Sequence, residues 1–97
     1  MYALAIIRYR KPLEEVTEFL GAHRAYLAAL QEKGWLLASG PFDPRTGGGI
    51  LLRVPDQDWA ACLDAVRDGD PFTRAGVAQY ELLPWRPVFG QERLDTL

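Results

Sequence analysis

The stretch Tyr2-Ala3-Leu4-Ala5-Ile6-Ile7-Arg8-Tyr9-Arg10 constrains the fold of this chain more than any other. As a strand it points Tyr2, Leu4 and Ile6 one way and Ala3, Ala5, Ile7 and Tyr9 the other. Both faces are apolar, so both have to be covered. Helices can cover one face. In a chain of 97 residues the cover expected for the other is a second copy. The length fits one domain, residues 1–97, with a core over about 1–86 and a tail over 87–97. A domain this short buries surface thinly, which also favours association.

The remaining elements follow from periodicity. Pro12 suits the first turn of a helix. Leu13, Val16, Leu20, Leu27 and Leu30 recur at helical spacing, predicting one amphipathic helix over roughly 13–33 that Gly34 stops. Trp35 to Gly40 reads as an apolar strand ending in the turn Ser39-Gly40-Pro41-Phe42. Gly47-Gly48-Gly49 reads as a hairpin bend, and Ile50 to Val54 as the third strand. A second helix starts after Asp56 or Asp58, either of which can cap it, and buries Trp59, Cys62, Leu63 and Val66. Asp70 to Gly76 reads as a connection with at most one helical turn, and Val77 to Trp85 as the last strand. The polar residues 86–97 are expected to order only against a partner. The order βαββαβ is the ferredoxin-like α+β arrangement: a four-stranded antiparallel sheet with two helices on one face. Its bare face is where a homodimer would form.

Composition excludes several classes. The net charge is −2 and no basic block appears, so no nucleic-acid partner is expected. No run of about 18 apolar residues exists, so no membrane span is expected. The apolar start lacks a preceding basic segment and reads as a strand rather than a signal peptide. The single cysteine, Cys62, forms no intrachain disulfide and favours a reducing compartment, giving a cytoplasmic expectation. It reads as a packing residue of the second helix.

His23 is the only histidine, and it falls in the middle of the apolar face of the first helix. One reading is a core imidazole bonded to a backbone carbonyl; the other is a general base or acid oriented by a carboxylate. Asp70, ahead of Pro71, is the candidate carboxylate, and it also suits a turn or helix cap. Asp64 and Asp68 are rivals on a solvated helix face. Ser39 can bond a ligand or its own turn, and no GxSxG pattern makes it a nucleophile. The glycine run carries no GK[ST] and is no phosphate loop. The first helix and the two Pro-Phe turns are expected to converge on one pocket. Gly40, Pro41 and Phe42 come from one turn and Phe72 from the other, and Arg8 offers charge to an anionic ligand. With one histidine and no cysteine cluster, a metal site is not expected.

These residues resemble a family. Ala22-His23-Arg24-Ala25-Tyr26-Leu27 with Leu30 and Gly34 is similar to the histidine helix of YciI-like (YCII-related) proteins. Ser39-Gly40-Pro41 is similar to its strand-two turn, and Asp70-Pro71-Phe72 with Ala75-Gly76-Val77 to its Asp-Pro-aromatic segment. Leu20 departs from it, standing where an Arg often precedes the histidine. The resemblance runs to about Trp85. It implies a dimeric α/β barrel assembled through the sheets and an active site pairing His23 with Asp70, with Ser39 close by. The superfamily includes muconolactone isomerase-like proteins and a dehydrochlorinase acting on a chlorinated hydroxyquinol. The function expected is isomerase or lyase (elimination) chemistry on a small cyclic or aromatic metabolite, with no cofactor. The alternatives are a non-catalytic small-molecule-binding dimer module and a structural or regulatory dimer module with His23 satisfied in the core.

Overall fold

The computed structural model describes residues 1–97. Tyr2–Tyr9 forms β1, Leu36–Pro41 β2, Gly47–Arg53 β3 and Ala78–Trp85 β4. They make one antiparallel four-stranded sheet in the order β2-β3-β1-β4. The doubly apolar stretch is thus a central strand, as its composition requires. The helices are α1 (Leu13–Glu18), α2 (Leu20–Glu32), α3 (Trp59–Gly69), α4 (Pro71–Arg74) and α5 (Gln91–Asp95). The fold is the ferredoxin-like α+β arrangement. No helix is long and apolar enough to cross a membrane.

The inward face of the sheet carries Ala3, Ala5, Ile7, Ile50, Leu52 and Tyr80, buried against Val16, Leu30, Leu63, Val66 and Phe72 of the helices. The small residues of β1 let the helices approach closely. The outward face carries Leu4, Leu51 and Leu83 in register. Leu83 and Trp85 remain 39% and 38% exposed there.

Four sequence expectations change. The single helix over 13–33 is two helices, because the Phe19 N–H bonds the Val16 carbonyl three residues back. Such a tightened turn swings the helix axis locally. Gly47-Gly48-Gly49 is not a bend but the start of β3, pairing with Arg8, Ile7 and Ile6. Side chains are excluded there: a Cβ on Gly47 would lie 1.8 Å from the Ile7 carbonyl oxygen, and one on Gly48 2.8 Å from that of Gly40. Neither Asp56 nor Asp58 caps α3. Asp58 takes a left-handed conformation (φ 57°) with no capping bond, and Asp56 bonds the Met1 amino group. Finally, the tail orders against its own chain. Tyr2 donates its hydroxyl hydrogen to Asp95, and Arg53 bonds the Leu94 carbonyl at 3.0 Å, so α5 lies over one end of the outward face.

Candidate active site

The amphipathic pattern of α2 turns His23 inward, leaving it 8% exposed. Gly69 ends α3, and the extended conformation of Asp70 with Pro71 behind it starts α4. That turn places Asp70 under α2, where its side chain is fully buried. His23 Nδ1 lies 2.8 Å from Asp70 Oδ1 and 2.9 Å from Oδ2 across a separation of 47 residues. A buried carboxylate is costly unless its oxygens are satisfied. Here the Phe72 N–H donates to Oδ1 at 2.9 Å, and the Tyr80 hydroxyl donates to Oδ2. Asp70 is therefore at once the cap of α4 and the partner of His23; the two sequence readings of it are both met by one carboxylate.

The acceptor-only carboxylate has a consequence for the ring. Nδ1 must carry the hydrogen that it shares with Asp70, so neutral His23 has its lone pair on Nε2. Nε2 has no partner within the chain and is not among the solvent-shielded polar atoms, of which Thr73 Oγ1 is the only unpartnered one. The ring plane is held as well. His23 stacks on Phe72 with centroids 3.9 Å apart and an interplanar angle of 6°, and Tyr9 meets Phe72 edge-on at 6.0 Å.

His23 and Phe72 open on a cavity of about 190 Å³. Ser39, Gly40 and Pro41 of β2 form one wall, and Gly47, Gly48 and Gly49 of β3 continue it. The glycine run thus makes room for the cavity as well as for its neighbouring strands. Ile7, Tyr9, Leu20 and Leu27 supply apolar surface, and Arg24 and Arg45 also line it. Ser39 lines this space, and its hydroxyl makes no bond within the chain.

Two residues expected at the pocket are elsewhere. Arg8 pairs with Glu81 at 2.8 Å on the outward face, because strand alternation sends it opposite Ile7 and Tyr9. Phe42 does not line the cavity; it is 41% exposed, with its ring against Gly49. Asp64 and Asp68 lie at the surface beside Arg67. No group of three potential metal ligands forms.

Tyr80 was not singled out from the sequence. The available signal was its place in β4 between the inward positions Ala78 and Leu82, since a buried tyrosine hydroxyl needs a partner. Burial first, and the Asp70 charge second, raise its pKa above the usual tyrosine value. The same causes raise Tyr26, whose hydroxyl bonds the Val66 carbonyl at 2.8 Å. Gly69 leaves room for it: a Cβ there would lie 2.7 Å from that hydroxyl oxygen, and the tyrosine would have to shift. Both phenols stay protonated beside the carboxylate and act as donors.

A model of the YCII-related domain matches residues 1–86. The chain belongs to the YCII-related family. Among solved structures it is similar to 5-chloro-2-hydroxyhydroquinone dehydrochlorinase from Burkholderia phenoliruptrix AC1100, determined in complex with 2,5-dihydroxybenzoquinone. The two share 25% sequence identity with a TM-score of 0.72, over 89% of this chain and 94% of that one. A comparison with curated protein sequences returns no match. The family match spans β1 to β4 and stops before α5.

Proposed function

We propose that this YCII-related protein is a cofactor-independent lyase that eliminates a leaving group from a small oxygenated ring, with His23 as the base. The observation that carries the proposal is the free Nε2 of His23, its tautomer set by buried Asp70, at the wall of a ring-sized cavity. The similarity to a dehydrochlorinase supports this class of chemistry. Nε2 takes a proton from a hydroxyl or carbon of the ring. The electron pair so released forms a new C=O or C=C bond, and the leaving group departs with the pair of its own bond. The net loss is one acid molecule, and no electron acceptor is needed. Asp70 balances the positive charge the imidazole acquires, and Ser39 orients a ring oxygen. Returning the proton to another carbon instead would make the same site an isomerase.

The test is chloride release from 5-chloro-2-hydroxyhydroquinone by the wild type and by His23→Gln. Release by the wild type, with a loss of about 10²–10⁴-fold in the variant, supports the reading. Binding of such rings without turnover would instead favour a non-catalytic binding module. We further propose a homodimer through the outward sheet face, supported by the register of Leu4, Leu51 and Leu83 and the exposure of Trp85. A cytoplasmic location fits the one unpaired cysteine, Cys62.

A further inference from the structure

We propose that the cavity selects a ring bearing an oxyanion, a carboxylate or an ionised hydroxyl, and that Arg24 and Arg45 are the residues that recognise it. The inference rests on the reading of this cavity as the ligand site and adds the charge of what enters it.

The residues that line the cavity include two arginines and no aspartate or glutamate. Arg24 comes from α2, directly after His23, and Arg45 from the loop between β2 and β3, so they approach from different elements. Neither has an ion pair or a hydrogen bond within the chain. Arg8 by contrast pairs with Glu81, Arg10 with Gln79, Arg67 with Asp64 and Asp68, Arg53 with the Leu94 carbonyl and Arg74 with the Asp68 carbonyl; the other arginines without a partner, Arg86 and Arg93, lie in the tail away from the cavity. The chain has 13 acidic against 11 basic residues, so carboxylates to neutralise the two are not scarce. They are excluded from this wall. Asp70, behind this wall, is sealed beneath His23 and Phe72 and occupied by His23, Phe72 and Tyr80.

The remaining lining sets the shape of the ligand. Ile7, Leu27 and the Phe72 ring give apolar surface, and about 190 Å³ holds a single substituted ring. A guanidinium offers a planar fork of donors that matches a carboxylate and bonds a phenolate oxygen with charge assistance. Two such forks beside an apolar slot discriminate by charge rather than by size.

The experiment measures binding to the whole chain by calorimetry, with benzoate against its neutral counterpart benzamide and 4-nitrophenolate against 4-nitroanisole. In the wild type at least one anion binds about tenfold or more tightly than its neutral partner, and added salt weakens that binding. Arg24→Gln and Arg45→Gln each reduce anion affinity about tenfold and leave the neutral partners unchanged. Both positions are exposed, so the variants keep the wild-type circular dichroism. Whichever anion is preferred separates a carboxylate-bearing from a phenolic substrate. Equal affinity for anion and neutral partner, no binding of either anion, or a preference that survives in the double variant overturns the proposal. His23→Gln keeps the anion preference while losing turnover. Failure of the lyase reading therefore leaves charge selection standing, and turnover of a neutral ring without anion preference does the reverse.

Discussion

Replacing Asp70 by Asn tests the heart of the site without knowledge of a substrate. The variant keeps the shape of the side chain and changes one acceptor into a donor. The Phe72 N–H can only donate, so the amide oxygen must stay at the Oδ1 position, 2.9 Å away. The amide nitrogen then occupies the Oδ2 position, beside the Tyr80 hydroxyl and 2.9 Å from His23 Nδ1. Tyr80 adapts, because its oxygen can accept. A hydrogen on Nδ1 would share the amide oxygen, 2.8 Å away, with the Phe72 N–H while facing the amide N–H at 2.9 Å, whereas a bare Nδ1 accepts from that N–H and removes the donor–donor contact. The ring moves its hydrogen to Nε2, and Nδ1 becomes the acceptor. The base is thereby turned into a donor aimed at the cavity. The same inversion in hydrolases with a Ser-His-Asp triad costs about 10⁴ in kcat. Loss of charge-assisted bonding at a fully buried carboxylate destabilises the fold by about 1.5–3 kcal/mol, which is small enough to leave it folded. The assay is ¹⁵N–¹H correlation of the imidazole, unambiguous because the chain has one histidine. The wild type should show Nδ1 protonated and Nε2 bare at a pH where the ring is neutral, and the variant the reverse. A bare Nε2 in both proteins would refute the pairing as the determinant of the tautomer.

Tyr80→Phe should cost about 1.5–3 kcal/mol near neutral pH by denaturant unfolding, because a bond to a carboxylate is lost. Tyr80 also imposes a pH dependence. Its folded pKa is raised, so its contribution is complete below the unfolded value of about 10 and is lost as pH rises beyond it, with a slope approaching about 1.4 kcal/mol per pH unit that Tyr80→Phe should flatten. Gly47→Ala should destabilise by about 2–4 kcal/mol, since its Cβ falls 1.8 Å from the Ile7 oxygen; Gly40→Ala, with open space around the new carbon, should stay within about 0.5 kcal/mol in the same assay. Light scattering at micromolar concentration should give twice the single-chain mass, and Trp85→Glu, charging a residue 38% exposed on the outward face, should give the single-chain mass with an unchanged circular dichroism spectrum.

Most of the architecture is legible in the chain because it follows from local periodicity. Alternating and helical apolar spacings report which residues face a core, whatever that core turns out to be. What escaped is informative. The break at Phe19 is a backbone event, the Phe19 N–H reaching the Val16 carbonyl, which the spacing of apolar side chains does not register. The glycine run looks like a bend because glycine is commonest there. Its actual reason is the approach of the Ile7 and Gly40 carbonyls, which belong to other strands. Arg8 is the opposite case: the alternation of its own strand was enough to place it away from Ile7 and Tyr9.

The sequence by itself determined the order of elements, the inward histidine, and the Asp-Pro-Phe turn that ends one helix and begins another. These are properties of neighbouring residues, set by backbone preference and side-chain spacing. Only the tertiary structure decided that the Asp70 turn lies beneath His23, that Tyr80 completes the shell of the carboxylate, and that Arg24 and Arg45 share a wall with no acid to match them. Those facts join elements far apart along the chain. A buried charge is tolerated only where donors from all of them meet, and that meeting exists only once the sheet and helices have packed.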